Sequence, residues 1–115
     1  MAGPEAERRL ATRAQELDDA LARLAADEAS IRADRADATA DDEHDPEGST
    51  LSGEWQRIDA LRRSALAERA EVSAALERVE AGTYGVCASC GRPIPDGRLE
   101  ARPMATLCVD CALRA

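Results

Sequence analysis

All four cysteines of this 115-residue chain stand near its C-terminal end, as Cys87-Ala88-Ser89-Cys90 and, after seventeen intervening residues, Cys108-Val109-Asp110-Cys111. Two C-x2-C pairs at this separation are able to surround one Zn²⁺ tetrahedrally, with each Zn–S bond about 2.3 Å long. Each pair needs a tight turn that aims both sulfurs at one point. Gly91, directly after Cys90, offers the positive φ that such turns use. With sulfur in all four coordination positions no place remains for water, so the expected metal is one structural zinc with four thiolate ligands, Cys87, Cys90, Cys108 and Cys111.

Two other uses of the cysteines compete. A C-x-x-C redox pair normally follows a strand in a βαβ setting. The sequence shows no such setting, and a redox role would leave the second pair without a task. Two disulfides would suit a secreted chain. Met1-Ala2-Gly3-Pro4-Glu5-Ala6-Glu7-Arg8-Arg9 has no apolar core of a signal peptide, and a cytoplasmic location is expected.

Composition limits what the rest can be. One Trp, one Tyr, no Phe and 33% charged residues leave too little for an ordinary globular core, and favour long helices. The formal net charge is −8, and a four-thiolate zinc centre adds about −2. Such a chain is repelled by bare DNA and by anionic membranes, so neither direct DNA binding nor membrane association is expected. No stretch approaches the roughly 18 apolar residues of a membrane span. All 15 basic residues are Arg.

Residues 5–40 carry Leu10, Leu17, Leu24 and Ile31 at intervals of seven, with Ala14 and Leu21 between them. This is a heptad seam on one helix. Glu28 interrupts it. Residues 50–81 carry Leu51, Ile58, Ala65, Val72 and Val79, joined by Trp55 and Leu76 and interrupted by Arg62 and Arg69. Gly82 suits the end of that helix. Between the two lie Pro46 and Gly48, which break helices, and Ser49 or Thr50, which cap them.

The seams check each other. In an antiparallel pair the facing positions have a constant number sum. Leu10 with Val79, Leu17 with Val72, Leu24 with Ala65, Ile31 with Ile58 and Ala38 with Leu51 all give 89, which puts the turn at His44–Asp45, beside the Pro/Gly break. The expected fold is therefore mostly α: a long antiparallel two-helix coiled-coil hairpin over residues 1–81, roughly 40 Å along its seam, followed by a small four-cysteine zinc-finger module over 82–115. Val79, Tyr84, Val86, Ile94, Leu99 and Leu107 are expected to pack the base of the hairpin against that module.

The hairpin tip, near residues 41–48, is acidic. Asp37, Asp41, Asp42, Glu43, Asp45 and Glu47 fall within residues 36–50, without one basic residue. A charge run is most simply a solvated loop. Carboxylates at the end of a stalk are also placed to meet a basic partner or approach a Mg²⁺ site. His44 reads as a solvated turn residue. The zinc half sets Arg92, Arg98, Arg102 and Arg114 against Asp96, Glu100 and Asp110, too slight an excess for a nucleic-acid surface.

The run Gly82-Thr83-Tyr84-Gly85-Val86-Cys87-Ala88-Ser89-Cys90-Gly91, with Arg98-Leu99-Glu100-Ala101-Arg102-Pro103 and Cys108-Val109-Asp110-Cys111, closely resembles the DksA/TraR family of four-cysteine zinc-finger proteins. The likeness extends over about residues 40–111. It implies a bacterial transcription regulator, not an enzyme, that binds RNA polymerase rather than DNA and pushes its coiled-coil tip into the secondary channel. The tip residues Asp41, Asp42, Glu43, Asp45 and Glu47 would then be partner-binding, with Arg98 and Arg102 as lesser contacts from the zinc module. Asp45 and Pro46 match the family's Asp-Pro-x-Asp-x-Ala tip motif, while Gly48 and Thr50 stand where it carries Asp and Ala. Some members hold guanosine tetraphosphate with basic residues. Arg102 matches one of these, but Glu71 and Ala112 occupy the others, so that ligand is not expected. The alternative function is a zinc-stabilised coiled-coil interaction module, or a redox-sensitive zinc protein, with no polymerase role.

Overall fold

The computed structural model describes the backbone of residues 3–41 and 47–115, with side chains over 3–36 and 52–115. The tip residues Asp42, Glu43 and Asp45 lie outside the described residues. Four helices follow in order: α1 (Pro4–Asp41), α2 (Glu47–Ala81), α3 (Asp96–Ala101) and α4 (Val109–Arg114). Among the described residues there is no strand, only an isolated antiparallel bridge between Val86 and Pro93. No described helix is long and apolar enough to cross a membrane. The fold is the expected one, mostly α, with a two-helix hairpin ahead of a four-cysteine module.

α1 begins at a proline, whose missing N–H costs nothing in a first turn. Glu5 and Glu7 follow in that turn, where carboxylates suit the positive end of the helix dipole. α2 begins earlier than the expected residue 50. Its first residue is Glu47, directly after Pro46, so Gly48 is inside the helix. A glycine weakens a helix by only about 1 kcal/mol, whereas a proline disfavours helix in the residue before it.

The chain divides into two compact units, one of residues 16–68 and one of residues 1–15 with 69–115. In the first, Leu17, Ile31 and Ile58 are buried. Two of the three interruptions of the heptads, Glu28 and Arg62, meet here. Arg62 of α2 donates to the Glu28 carboxylate of α1 at 2.6 Å, although the two are 34 residues apart. Arg32 reaches the other Glu28 oxygen at 3.0 Å. Its guanidinium also lies over the Trp55 ring, 5.4 Å from the centroid. Asp59 pairs with Arg63 at 2.9 Å. A polar layer therefore fills the gap that each helix leaves in its own seam.

In the other unit Ala6, Leu10 and Ala14 of α1 and Val72 and Ala75 of α2 are buried. Burial of each large aliphatic contributes about 1.5–3 kcal/mol. α2 stops at Gly82, whose φ of +76° turns the chain out of the helix. The carbonyl of Arg78 then accepts the N–H groups of both Thr83 and Tyr84. A second small core follows, built from Cys87, Ile94 and Leu99, with Tyr84, Ala105, Leu107, Cys108 and Cys111 against it. Val86 departs from expectation: it is 44% exposed. The bridge to Pro93 is closed by its neighbours, with Gly85 accepting from the Ile94 N–H and Cys87 donating to the Arg92 carbonyl, while the Val86 side chain stays on the outer side.

Candidate metal centre

The first cysteine pair sits in a turn closed from both sides. The Gly91 N–H donates to the Cys87 carbonyl at 3.0 Å, and the Cys87 N–H to the Arg92 carbonyl at 2.9 Å. Gly91 holds the expected positive φ, +73°. The second pair is built differently. Cys108 is the extended N-cap residue of α4, and Cys111 lies within the helix, so one helical turn brings the two sulfurs to one side. The two halves are joined where the Ala88 N–H donates to the Thr106 carbonyl at 2.8 Å.

As a result the four sulfurs of Cys87, Cys90, Cys108 and Cys111 all lie within 4.8 Å of one another. Cys90 and Cys108 are 3.9 Å apart. A regular tetrahedron of Zn–S bonds puts its sulfurs about 3.8 Å apart. The separation is far beyond the roughly 2.05 Å of a disulfide. The donor set therefore fits one tetrahedral zinc. Among the described residues these cysteines are the one cluster of metal-ligand type. Cys87 is buried and Cys90 exposed, with Cys108 and Cys111 between.

The electrostatics fit a cation as well. Backbone amides of Cys90, and next Cys108 and Ser89, point at the Cys87 sulfur and hold its pKa down to about 6. Cys111 is pushed up to about 12, first through the hydrogen bond its thiol makes to Cys108 and further by Cys87 and Cys90; the Ser89 hydroxyl opposes this. Four thiols crowded together give up the first proton easily and the last with difficulty. A divalent cation at their centre removes that difficulty.

The loop between α3 and the second pair hangs on side chains. Tyr84 Oη donates to the Pro103 carbonyl at 2.7 Å, and Arg98 Nε to the Leu107 carbonyl at 2.7 Å. Arg78 reaches the Met104 carbonyl more loosely, at 3.5 Å. Burial raises the Tyr84 pKa against the opposing pull of Arg9 and Arg78. The sequence holds no signal for these contacts, because each depends on where the α3 turn sends the chain. Ser89 was legible in principle, as the one hydroxyl inside a C-x-x-C.

Residues 82–115 match the model of the prokaryotic DksA/TraR C4-type zinc finger. Those residues form a zinc finger of the DksA/TraR C4 type. The cofactor of the family type, one zinc, suits the sulfur geometry above. Over 44 residues the chain is 50% identical to the RNA polymerase-binding transcription factor DksA of Caulobacter vibrioides, which covers 38% of this chain and 31% of that protein. Over 55 residues it is 44% identical to an uncharacterised protein of Aquifex aeolicus, covering 48% of this chain and 38% of the other. The aligned part is thus well under half the length of these curated relatives. Among solved structures, transcription factor DksA2 from Pseudomonas aeruginosa superposes with a TM-score of 0.74 at 27% identity, over 95% of this chain and 78% of that one.

Proposed function

We propose that this chain is a transcription regulator that binds RNA polymerase directly, with the hairpin of residues 1–81 entering the secondary channel and the module of residues 82–115 remaining at its base. The observation that carries this reading is the likeness to DksA relatives, which extends from the cysteine module through the helical hairpin. In this reading Cys87, Cys90, Cys108 and Cys111 hold one structural zinc. The metal supplies cross-linking and no open coordination position, so the chemistry it contributes is stability rather than catalysis. Asp41, Asp42, Glu43, Asp45 and Glu47 carry the negative charge that meets the polymerase interior. Exposed Arg102 faces the partner from the zinc module. The work is done in the cytoplasm without direct contact to DNA.

A binding assay with purified core polymerase tests the reading. Wild type is expected to bind at micromolar concentrations. Reversing the charge at Asp45 should abolish its effect on transcription while the fold stays intact. Absence of binding, or capture of a different abundant protein in its place, would replace this reading with that of a docking module.

A further inference from the structure

The family resemblance implies Arg98 as a lesser partner contact. In the structure it is half-buried, and its Nε–H is directed into the protein at the Leu107 carbonyl, 2.7 Å away. That carbonyl belongs to the peptide group whose N–H is carried by Cys108. Cys108 is itself the extended N-cap residue of α4 and one of the four clustered sulfurs. Arg98 therefore holds the oxygen of the peptide group that leads directly into the ligand residue Cys108. A rigid planar peptide cannot turn one end without turning the other. The neighbouring carbonyls of Pro103, Met104 and Thr106 are engaged by Tyr84, Arg78 and the Ala88 amide, so that of Leu107 is the one Arg98 holds.

We infer that Arg98 is a positioning residue of the metal centre, orienting the Leu107–Cys108 peptide so that Cys108 is delivered to the metal in register. Hydrogen bonds to ligand atoms from outside the coordination shell commonly alter metal retention by 10–100-fold. Arginine suits the task because its guanidinium is permanently charged and planar, giving a directional, charge-assisted bond to a single carbonyl. Arg102, four residues on and exposed, has no such engagement with the segment and provides the comparison.

The inference rests on the four thiols holding zinc, and the experiment separates the two. Zinc-loaded full chains of wild type, Arg98→Met and Arg102→Met are mixed with excess chelator, and the release rate is followed by a chromogenic zinc indicator. Arg98→Met keeps the unbranched stem and loses the donor. Its zinc should leave about tenfold faster or more, whereas Arg102→Met should stay within about twofold of wild type. In the zinc-loaded Arg98→Met protein the Cys108 amide proton should also exchange faster and shift upfield, a signature that simple loss of stability elsewhere would not give. If Arg98→Met does not take up one metal per chain, Arg98→Lys replaces it, with release about threefold faster or more expected from the misdirected donor. Release at the wild-type rate with an unmoved Cys108 amide would overturn the inference. A wild-type chain that holds no zinc would instead overturn the reading on which it rests.

Discussion

Replacing Arg62 by Met should expose how much of the hairpin depends on its polar layer. Glu28 is only 13% exposed at its side chain and meets Arg62 at 2.6 Å, while its other partner, Arg32, is 68% exposed. Removing Arg62 leaves a mostly buried carboxylate with one solvent-screened partner. A hydrogen bond to a charged group contributes about 1.5–3 kcal/mol. Arg62 is itself 36% exposed, and screening moves the expected loss to about 1–2 kcal/mol. At about 2.1 cal/mol/K of unfolding entropy per residue, this lowers the melting temperature by roughly 6 °C. Trp55, stacked under Arg32, reports the melt by fluorescence beside the helical circular dichroism. Adding Glu28→Leu removes the stranded charge, and stability should return to within about 1 kcal/mol of the parent or exceed it. An Arg62→Met protein that melts within about 1 °C of the parent would refute the reasoning.

Other expectations follow from the metal module. Tyr84→Phe loses the bond to Pro103 and should lower the stability of the zinc-loaded chain by about 1 kcal/mol, read from its denaturation midpoint. Gly91→Ala places a methyl group where no atom lies within 4 Å but keeps φ at +73°. Its cost is therefore conformational, about 1–2 kcal/mol, and should appear as weaker zinc retention in a competition titration without a change in helix content. Zinc uptake at neutral pH should release at least one proton, because Cys111 holds its proton until about pH 12 in the metal-free cluster while Cys87 loses its own at about 6. Apparent affinity should accordingly fall as pH is lowered, since each returning proton competes with the metal. Calorimetry in two buffers of different ionisation enthalpy measures the proton count, and a buffer-independent heat would contradict it.

What the residues revealed beforehand, and what they did not, follows from the range of the interactions. The heptads placed Ile31 and Ile58 in the buried seam because a repeat of seven needs only local geometry to be read. Gly82 and Gly91 were legible for the same reason, as each serves a turn within a few residues of itself. Glu28 and Arg62, taken singly, are defects in two seams. They become a pair only after the antiparallel register sets them opposite each other. The cysteine spacing foretold the sulfur cluster. It said nothing of Arg98, whose carbonyl partner is brought near by the short α3 helix and the loop after it. Val86 is exposed against expectation because apolar character alone does not say which side of a bridge faces solvent.

The most direct trial of the account is the mass of the purified chain under native and then denaturing conditions, with thiol alkylation in each. One zinc per chain is expected in the native spectrum, with the cysteines protected until the metal is stripped and all four alkylated afterwards. A native mass without metal, or two disulfides in place of four protected thiols, would contradict it.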